Sequence, residues 1–351
     1  MHTRICDLFG IRYPLVQTGM GWVAGARLTA ATSAAGGLGI LAAATMTLTE
    51  MKTAVNEVRD RTGAPFGVNF RTDQSDVEDR VNFLIEAGVK VASYGQAPRP
   101  ELMARLADAG VANVPTVGAR RHAEKVAEWG ADAVIAQGAE GGGHTGNVPT
   151  SLLVPQVVDA VDIPVLAAGG YFDGRGLIAA LAYGAEGVAM GTRFLLTSDS
   201  TVPDNVKEMY LARSVNDTVV TKCIDGVPQR VIRTALVERL DGVGPWLSLG
   251  RSARNALAFR RMADSRPLDL VREGLAMRKS QSLSWAQLMM AANAPMMTKA
   301  ALVEGNPDVG VLPTGQVLGV VDDLPTVAEL IERILAEAHD VLARLGANRT
   351  G

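Results

Sequence analysis

Four times between residues 86 and 188, an amphipathic stretch ends in glycine and runs straight into a short apolar segment: EAGVKV, DAGVANV, EWGADAV and AYGAEGV. Glycine there is the left-handed cap that turns a helix into a following strand. Apolar runs of four or five residues alternating with a helical period are the signature of strand–helix units. Eight strand candidates follow the pattern, at 15–18, 38–42, 67–70, 89–93, 113–117, 133–137, 165–168 and 187–190. Helical stretches lie between them, for example at 47–61, 76–87, 99–109 and 119–129. Eight units in succession predict an α/β chain folded as a closed parallel (β/α)8 TIM barrel. The competing architecture is an open doubly wound sheet, but the glycine-rich turn at 34–39 lacks the GxGxxG spacing of a dinucleotide fold.

The rhythm breaks after about residue 204. Residues 205–304 are richer in arginine and methionine and read mainly as helix, including 204–213, 231–240, 268–278 and 285–292. They predict a helical substrate lobe inserted into a barrel formed by 1–204 and 305–351, with a last helix over 326–345. Within the lobe, 251–279 carries Arg251, Arg254, Arg260, Arg261, Arg266, Arg272, Arg278 and Lys279 against Asp264, Asp269 and Glu273. That basic run sits in a chain of net charge −3, a balance that argues against a nucleic-acid or membrane-surface role. Two cysteines, Cys6 and Cys223, cannot build a secreted disulfide framework. No uncharged run nears the ~20 residues of a spanning helix, so a soluble cytoplasmic protein is expected. Homo-oligomerisation is left open, and no metal site is assigned.

In such a barrel the chemistry sits at the C-terminal strand ends. Those ends read QTGMGW (17–22), Asn69, QGAEGGGHTG (137–146), AAGGYFDG (167–174) and MGTRF (190–194). The third holds five glycines in nine residues over 138–146 and one of the chain's four histidines, His144. A loop that lets backbone approach a ligand and also carries a titratable side chain is a site candidate. A flexible turn with a chance histidine is the plain alternative. The last two ends present glycine N–H groups and the Thr192 hydroxyl at predicted helix starts, an arrangement suited to phosphate. With no Rossmann loop in the chain, FMN fits better than a dinucleotide. Gln17, Asn69 and Gln137 could bond polar ring atoms, and Met20 and Gly21 could lay backbone on the ring edge. Tyr171 could wall the substrate pocket or merely pack its loop.

The ordered segments QTGMGWVAG, AAGGLGIL, PFGVN, AQGAEGGGHTG, PVLAAGGYFDGRG, GVAMGTRFLLTSDS and TGQVLGVV resemble the nitronate monooxygenase (2-nitropropane dioxygenase-like) family of FMN proteins. The resemblance spans almost the whole chain. It implies FMN contacts at Met20, Gly21, Asn69, Gln137, Gly142, Gly143, Gly170, Gly191, Thr192 and Gln316, and a catalytic base at His144. Gly141 departs from the family's usual alanine, a small steric change. Finer detail, including EGGGHTG, GTRFLLTSDSTVPD and MMAANAP, resembles an actinobacterial branch that dehydrogenates a hydroxy bicyclic acyl-CoA from steroid rings C and D.

Histidine titrates near ~6.5, which suits it to proton abstraction at neutral pH. The basic run, with Arg251, Arg254, Arg260 and Arg261 as candidate substrate contacts, suits the phosphates of coenzyme A; a solvated charged face is the plain alternative. Three oxidoreductase readings stay open: dehydrogenation of a hydroxyacyl-CoA, oxidation of an alkyl nitronate with O2, and reduction of an enoyl thioester with NAD(P)H as electron partner. A non-catalytic flavin binder is the fourth.

Overall fold

The computed structural model describes residues 1–241 and 285–347. Eight parallel strands close into a barrel, here numbered β1–β8: Leu15–Gln17, Leu38–Ala42, Phe66–Phe70, Val91–Tyr94, Ala112–Val114 continued by Thr116–Val117, Val134–Gln137, Val165–Ala168 and Gly187–Met190. All eight expected strands are present, within one or two residues at their ends. β5 is one strand broken at Pro115, which has no N–H to give a ladder. Before the break it pairs with β4, Ala112 opposite Val91. After it the strand pairs with β6, Thr116 opposite Ile135, and the Pro115 carbonyl still accepts from the Ile135 amide at 2.9 Å. β1 pairs with β8 and closes the ring, Leu15 opposite Val188.

Apart from the exposed Thr116, the strands are mostly buried on both faces, as a sheet wrapped by helices requires. Leu15, Val68, Ala92, Val134, Val165 and Val188 pack outward with the helices. Val16, Ile40, Val91, Val114, Ile135, Leu166 and Ala189 fill the barrel. Helix Leu48–Arg61 starts at a capping box between Thr47 and Glu50. The predicted helix-ending glycines Gly88, Gly110, Gly130 and Gly184 all adopt positive φ. No described helix is long and apolar enough to cross a membrane.

The N-terminal helix Arg4–Phe9 plugs the end of the barrel opposite the strand C-termini. Its Ile5, Cys6 and Phe9, with Ile11, pack into the barrel's inner cluster. Thr3 Oγ1 donates to the Glu186 carbonyl at 2.6 Å, and Arg4 pairs with the Glu186 carboxylate at 2.5 Å. Phe9 is fully buried, so Phe9→Ala should cost about 3–5 kcal/mol, the usual range for a large aromatic deleted from a core. A urea unfolding midpoint that fails to drop would show that the plug adds nothing to the barrel.

The described part of residues 205–304 includes helices Asp204–Leu211, Ala235–Asp241 and Trp285–Leu302. It also includes a hairpin absent from the sequence expectation. Strands Thr218–Thr221 and Gln229–Ile232 pair antiparallel, with β-branched Val219 opposite Val231. The second strand then pairs with Gly143–His144 of the loop after β6, Gln229 opposite His144 and Arg230 opposite Gly143. The helix expected over 231–240 therefore begins only at Ala235. The basic run 251–279, with Arg251, Arg254, Arg260 and Arg261, lies outside the described residues.

Candidate active site

The loops after β1, β3, β6, β7 and β8 meet at one end of the barrel, joined by the returning segment 314–316. Asn69 reaches the β1 loop so closely that a Cβ on Gly19 would stand 2.5 Å from its own. From the β1 loop, Met20 lies against Gly191, its sulfur 3.3 Å from where a Cβ would be. Beyond Gly191, the Thr192 hydroxyl accepts from the Gly315 amide at 2.9 Å. The next amide, Gln316, donates to the Glu140 carbonyl at 3.0 Å. Gly142 faces the same segment, and Gly169 and Gly170 back onto residues 138–141. Seven of the predicted cofactor positions (Asn69, Met20, Gly191, Thr192, Gln316, Gly142 and Gly170) thus fall on one unbroken arc of touching loops. Gly21, Gln137 and Gly143 are chain neighbours of members of that arc.

Backbone approaches backbone along this arc because side chains are missing from it. A Cβ on Gly142 would lie 2.5 Å from the Thr314 carbonyl carbon. Gly170 has the opposite reason: its φ of +86° is left-handed, and an added Cβ meets nothing nearer than Glu140 Cβ at 3.7 Å. A close-packed rear wall with an exposed peptide in front of it fits the flat ring and phosphate of a flavin. The predicted helix start at Thr192 is a single turn, Thr192–Leu195.

Among the described residues, Trp22, next to Gly21, is the non-glycine residue held at positive φ, +66°. That conformation costs roughly 1–2 kcal/mol, and such strain tends to be kept where a site needs it. Beside it opens a pocket of about 260 Å³ lined in part by Trp22, Val23, Ala42, Thr45, Met46 and Thr201. Gln17 is fully buried and gives its amide N–H to the Ile40 carbonyl at 3.2 Å, while its buried Oε1 finds no partner among the described residues. Tyr171 is 8% exposed and packs among the outer-core residues.

His144 stands at the edge of the arc. Gln137 Nε2 donates to its carbonyl at 2.7 Å, and the hairpin holds its backbone in register. Its ring is 59% exposed, and Nε2 lies 2.6 Å from Asp225 Oδ2, a carboxylate only 14% exposed. Burial alone would raise the Asp225 pKa, but bonds from His144, the Val227 amide and Gln229 outweigh it and hold the carboxyl below its ordinary value. Arg230 in the same hairpin donates to the Ala139 carbonyl at 2.9 Å and to Thr218 Oγ1 at 2.8 Å. Burial lowers its pKa, opposed by Glu140. Sequence reasoning missed both residues. The signal available was the Asp225–Gly226 dipeptide between two β-branched runs, a hairpin turn.

The fold is a parallel barrel whose rim joins a glycine-lined backbone cradle to an exposed imidazole, an arrangement compatible with a cofactor-dependent oxidoreductase. The sequence profile of nitronate monooxygenase matches residues 2–337, and the chain belongs to the nitronate monooxygenase family of flavin-dependent oxidoreductases. It is 57% identical over 349 residues, 99% of both chains, to (3aS,4S,5R,7aS)-5-hydroxy-7a-methyl-1-oxo-octahydro-1H-indene-4-carboxyl-CoA dehydrogenase from Rhodococcus jostii. The enzyme of the same name from Mycobacterium tuberculosis is 57% identical over 341 residues, 96% of each chain. Among solved structures, FabK from Thermotoga maritima superposes with a TM-score of 0.81 at 34% identity, covering 99% of each chain.

Proposed function

We propose that the protein is an FMN-dependent dehydrogenase of a hydroxy bicyclic acyl-CoA, placed in the breakdown of steroid rings C and D. The observation that carries the chemistry is the exposed His144 ring, fixed at one nitrogen and placed beside the Gly142–Gly170 cradle. The near full-length likeness to two hydroxyacyl-CoA dehydrogenases supports the substrate. Met20, Gly21, Asn69, Gln137, Gly142, Gly143, Gly170, Gly191, Thr192 and Gln316 would hold the flavin, which when bound supplies the two-electron acceptor. His144 takes the substrate's hydroxyl proton, and the carbinol hydrogen leaves with its electron pair, so the alcohol becomes a ketone. The barrel, 1–204 and 305–351, carries cofactor and base. The lobe, 205–304, selects the substrate, and Arg251, Arg254, Arg260 and Arg261 take the phosphates of coenzyme A.

Anaerobic bleaching of the bound flavin tests this reading. A bicyclic hydroxyacyl-CoA should bleach it within seconds, and an alkyl nitronate or NAD(P)H far more slowly. Bleaching by the nitronate alone would make the protein a nitronate monooxygenase in activity, and bleaching by NAD(P)H alone would make it a reductase. Changing those four arginines to glutamine should raise the acyl-CoA concentration needed for half-maximal bleaching at least tenfold. An unchanged requirement removes them from the site.

A further inference from the structure

We infer that Asp225 is the positioning residue for His144: its carboxylate keeps the ring proton on Nε2 and leaves Nδ1 as the nitrogen that accepts the substrate's proton. This rests on the reading of His144 as the base and adds which of its nitrogens works and what selects it. Asp225 lies 81 residues from His144 in sequence, in the turn of the lobe hairpin. Its two oxygens are divided. Oδ1 accepts the Val227 amide at 3.0 Å, and Oδ2 faces His144 Nε2 at 2.6 Å. The first bond closes a local turn around the carboxylate, so Asp225 is oriented by its own loop before the histidine meets it. His144 is then brought to it by main chain: Gln229 opposes His144 in the ladder, and the Thr145 amide donates to the Pro228 carbonyl at 3.2 Å.

The tautomer follows from donor–acceptor counting. An ionised carboxylate can only accept, and a neutral imidazole has one donor and one acceptor nitrogen. With Nε2 against the carboxylate, Nε2 must carry the hydrogen and Nδ1 the lone pair. Two charged groups near this loop, Glu140 and Arg230, are engaged elsewhere. Glu140 accepts from the Thr150 amide at 2.9 Å and the Thr150 hydroxyl at 2.6 Å. Arg230 is turned to Ala139 and Thr218.

The test reads the ring directly. Nitrogen-15 NMR of the flavin-loaded protein at pH 8, with His144 assigned by H144Q, should show a protonated Nε2 and a bare Nδ1. In D225N the amide can offer an N–H to the same nitrogen, so the tautomer should reverse or mix; the equivalent change in a Ser-His-Asp site costs up to ~10⁴-fold. Here, with the ring more exposed, flavin reduction in D225N should slow by about 10- to 100-fold. The substrate concentration for half-maximal rate should move less than threefold, and D225E should recover part of the rate. A wild-type ring protonated on Nδ1, or a D225N ring identical to wild type, overturns the inference. The wild-type spectrum decides it even if a variant does not fold. A reversed tautomer with an unchanged rate would uphold Asp225 as the positioning residue and sink His144 as the base.

Discussion

Replacing His144 by glutamine should lower the rate of flavin reduction by roughly 10²–10⁴-fold, the range a positioned base supplies, while the protein should keep its fold and its flavin. The structure separates those outcomes. The imidazole is more than half exposed, so its removal opens no cavity. The loop is held through its backbone, by Gln137 on the His144 carbonyl and by the ladder to the hairpin, and glutamine preserves both. Stopped-flow bleaching beside the flavin-to-protein ratio measures the two quantities independently. A rate within threefold of wild type takes His144 out of the reaction.

Gly142→Val attacks the cradle and should empty it. The new Cβ would stand 2.5 Å from the Thr314 carbonyl carbon and 2.6 Å from the Gly315 nitrogen. Both are main-chain atoms, so no side-chain rotation relieves the clash. Segment 314–316 has to move, and with it go the Gly315–Thr192 bond and the Gln316–Glu140 bond. Overpacking of this kind costs about 1–3 kcal/mol in stability. The larger effect falls on the cofactor, because the displaced segment carries Gln316 and releases Thr192. The flavin-to-protein ratio after dialysis should fall at least tenfold. Gly63→Ala is the control, since a Cβ there meets nothing within 4 Å, and it should leave both ratio and unfolding midpoint unchanged. Full flavin retention in Gly142→Val would remove the 314–316 segment from the cofactor site.

The barrel was legible because its signals are local. Each strand is a short, mostly apolar and mostly buried run, and Gly88, Gly110, Gly130 and Gly184 mark the helix ends with positive φ. The close approach at Gly142 was legible for a related reason, since a backbone that must approach another backbone excludes a Cβ. Gln17, a polar residue at a strand end, reads as ring-facing. Only the strand's parity, with Val16 inside and Leu15 outside, separates it from the barrel mouth. Asp225 and Arg230 were hidden for a different reason. Their meaning depends on a ladder between residues 143–144 and 229–230, and nothing within either segment names the other. The run at 231–240 read as helix because Val231, Ala235 and Val237 also suit an amphipathic pattern. Its first residues are instead drawn into pairing, where Val231 also bridges to Pro313.

The seal at the barrel's floor sets an order in time. The helix Arg4–Phe9 is made before every strand of the barrel, yet its anchor is Glu186, 182 residues later. Until β8 is synthesised, Ile5, Cys6 and Phe9 have neither their latch nor a closed ring to enter. Long-range closures of this kind slow folding and leave apolar surface open while synthesis continues. The segment that carries this helix is therefore the one that a chaperone would have most reason to cover, and the one whose protection should appear last.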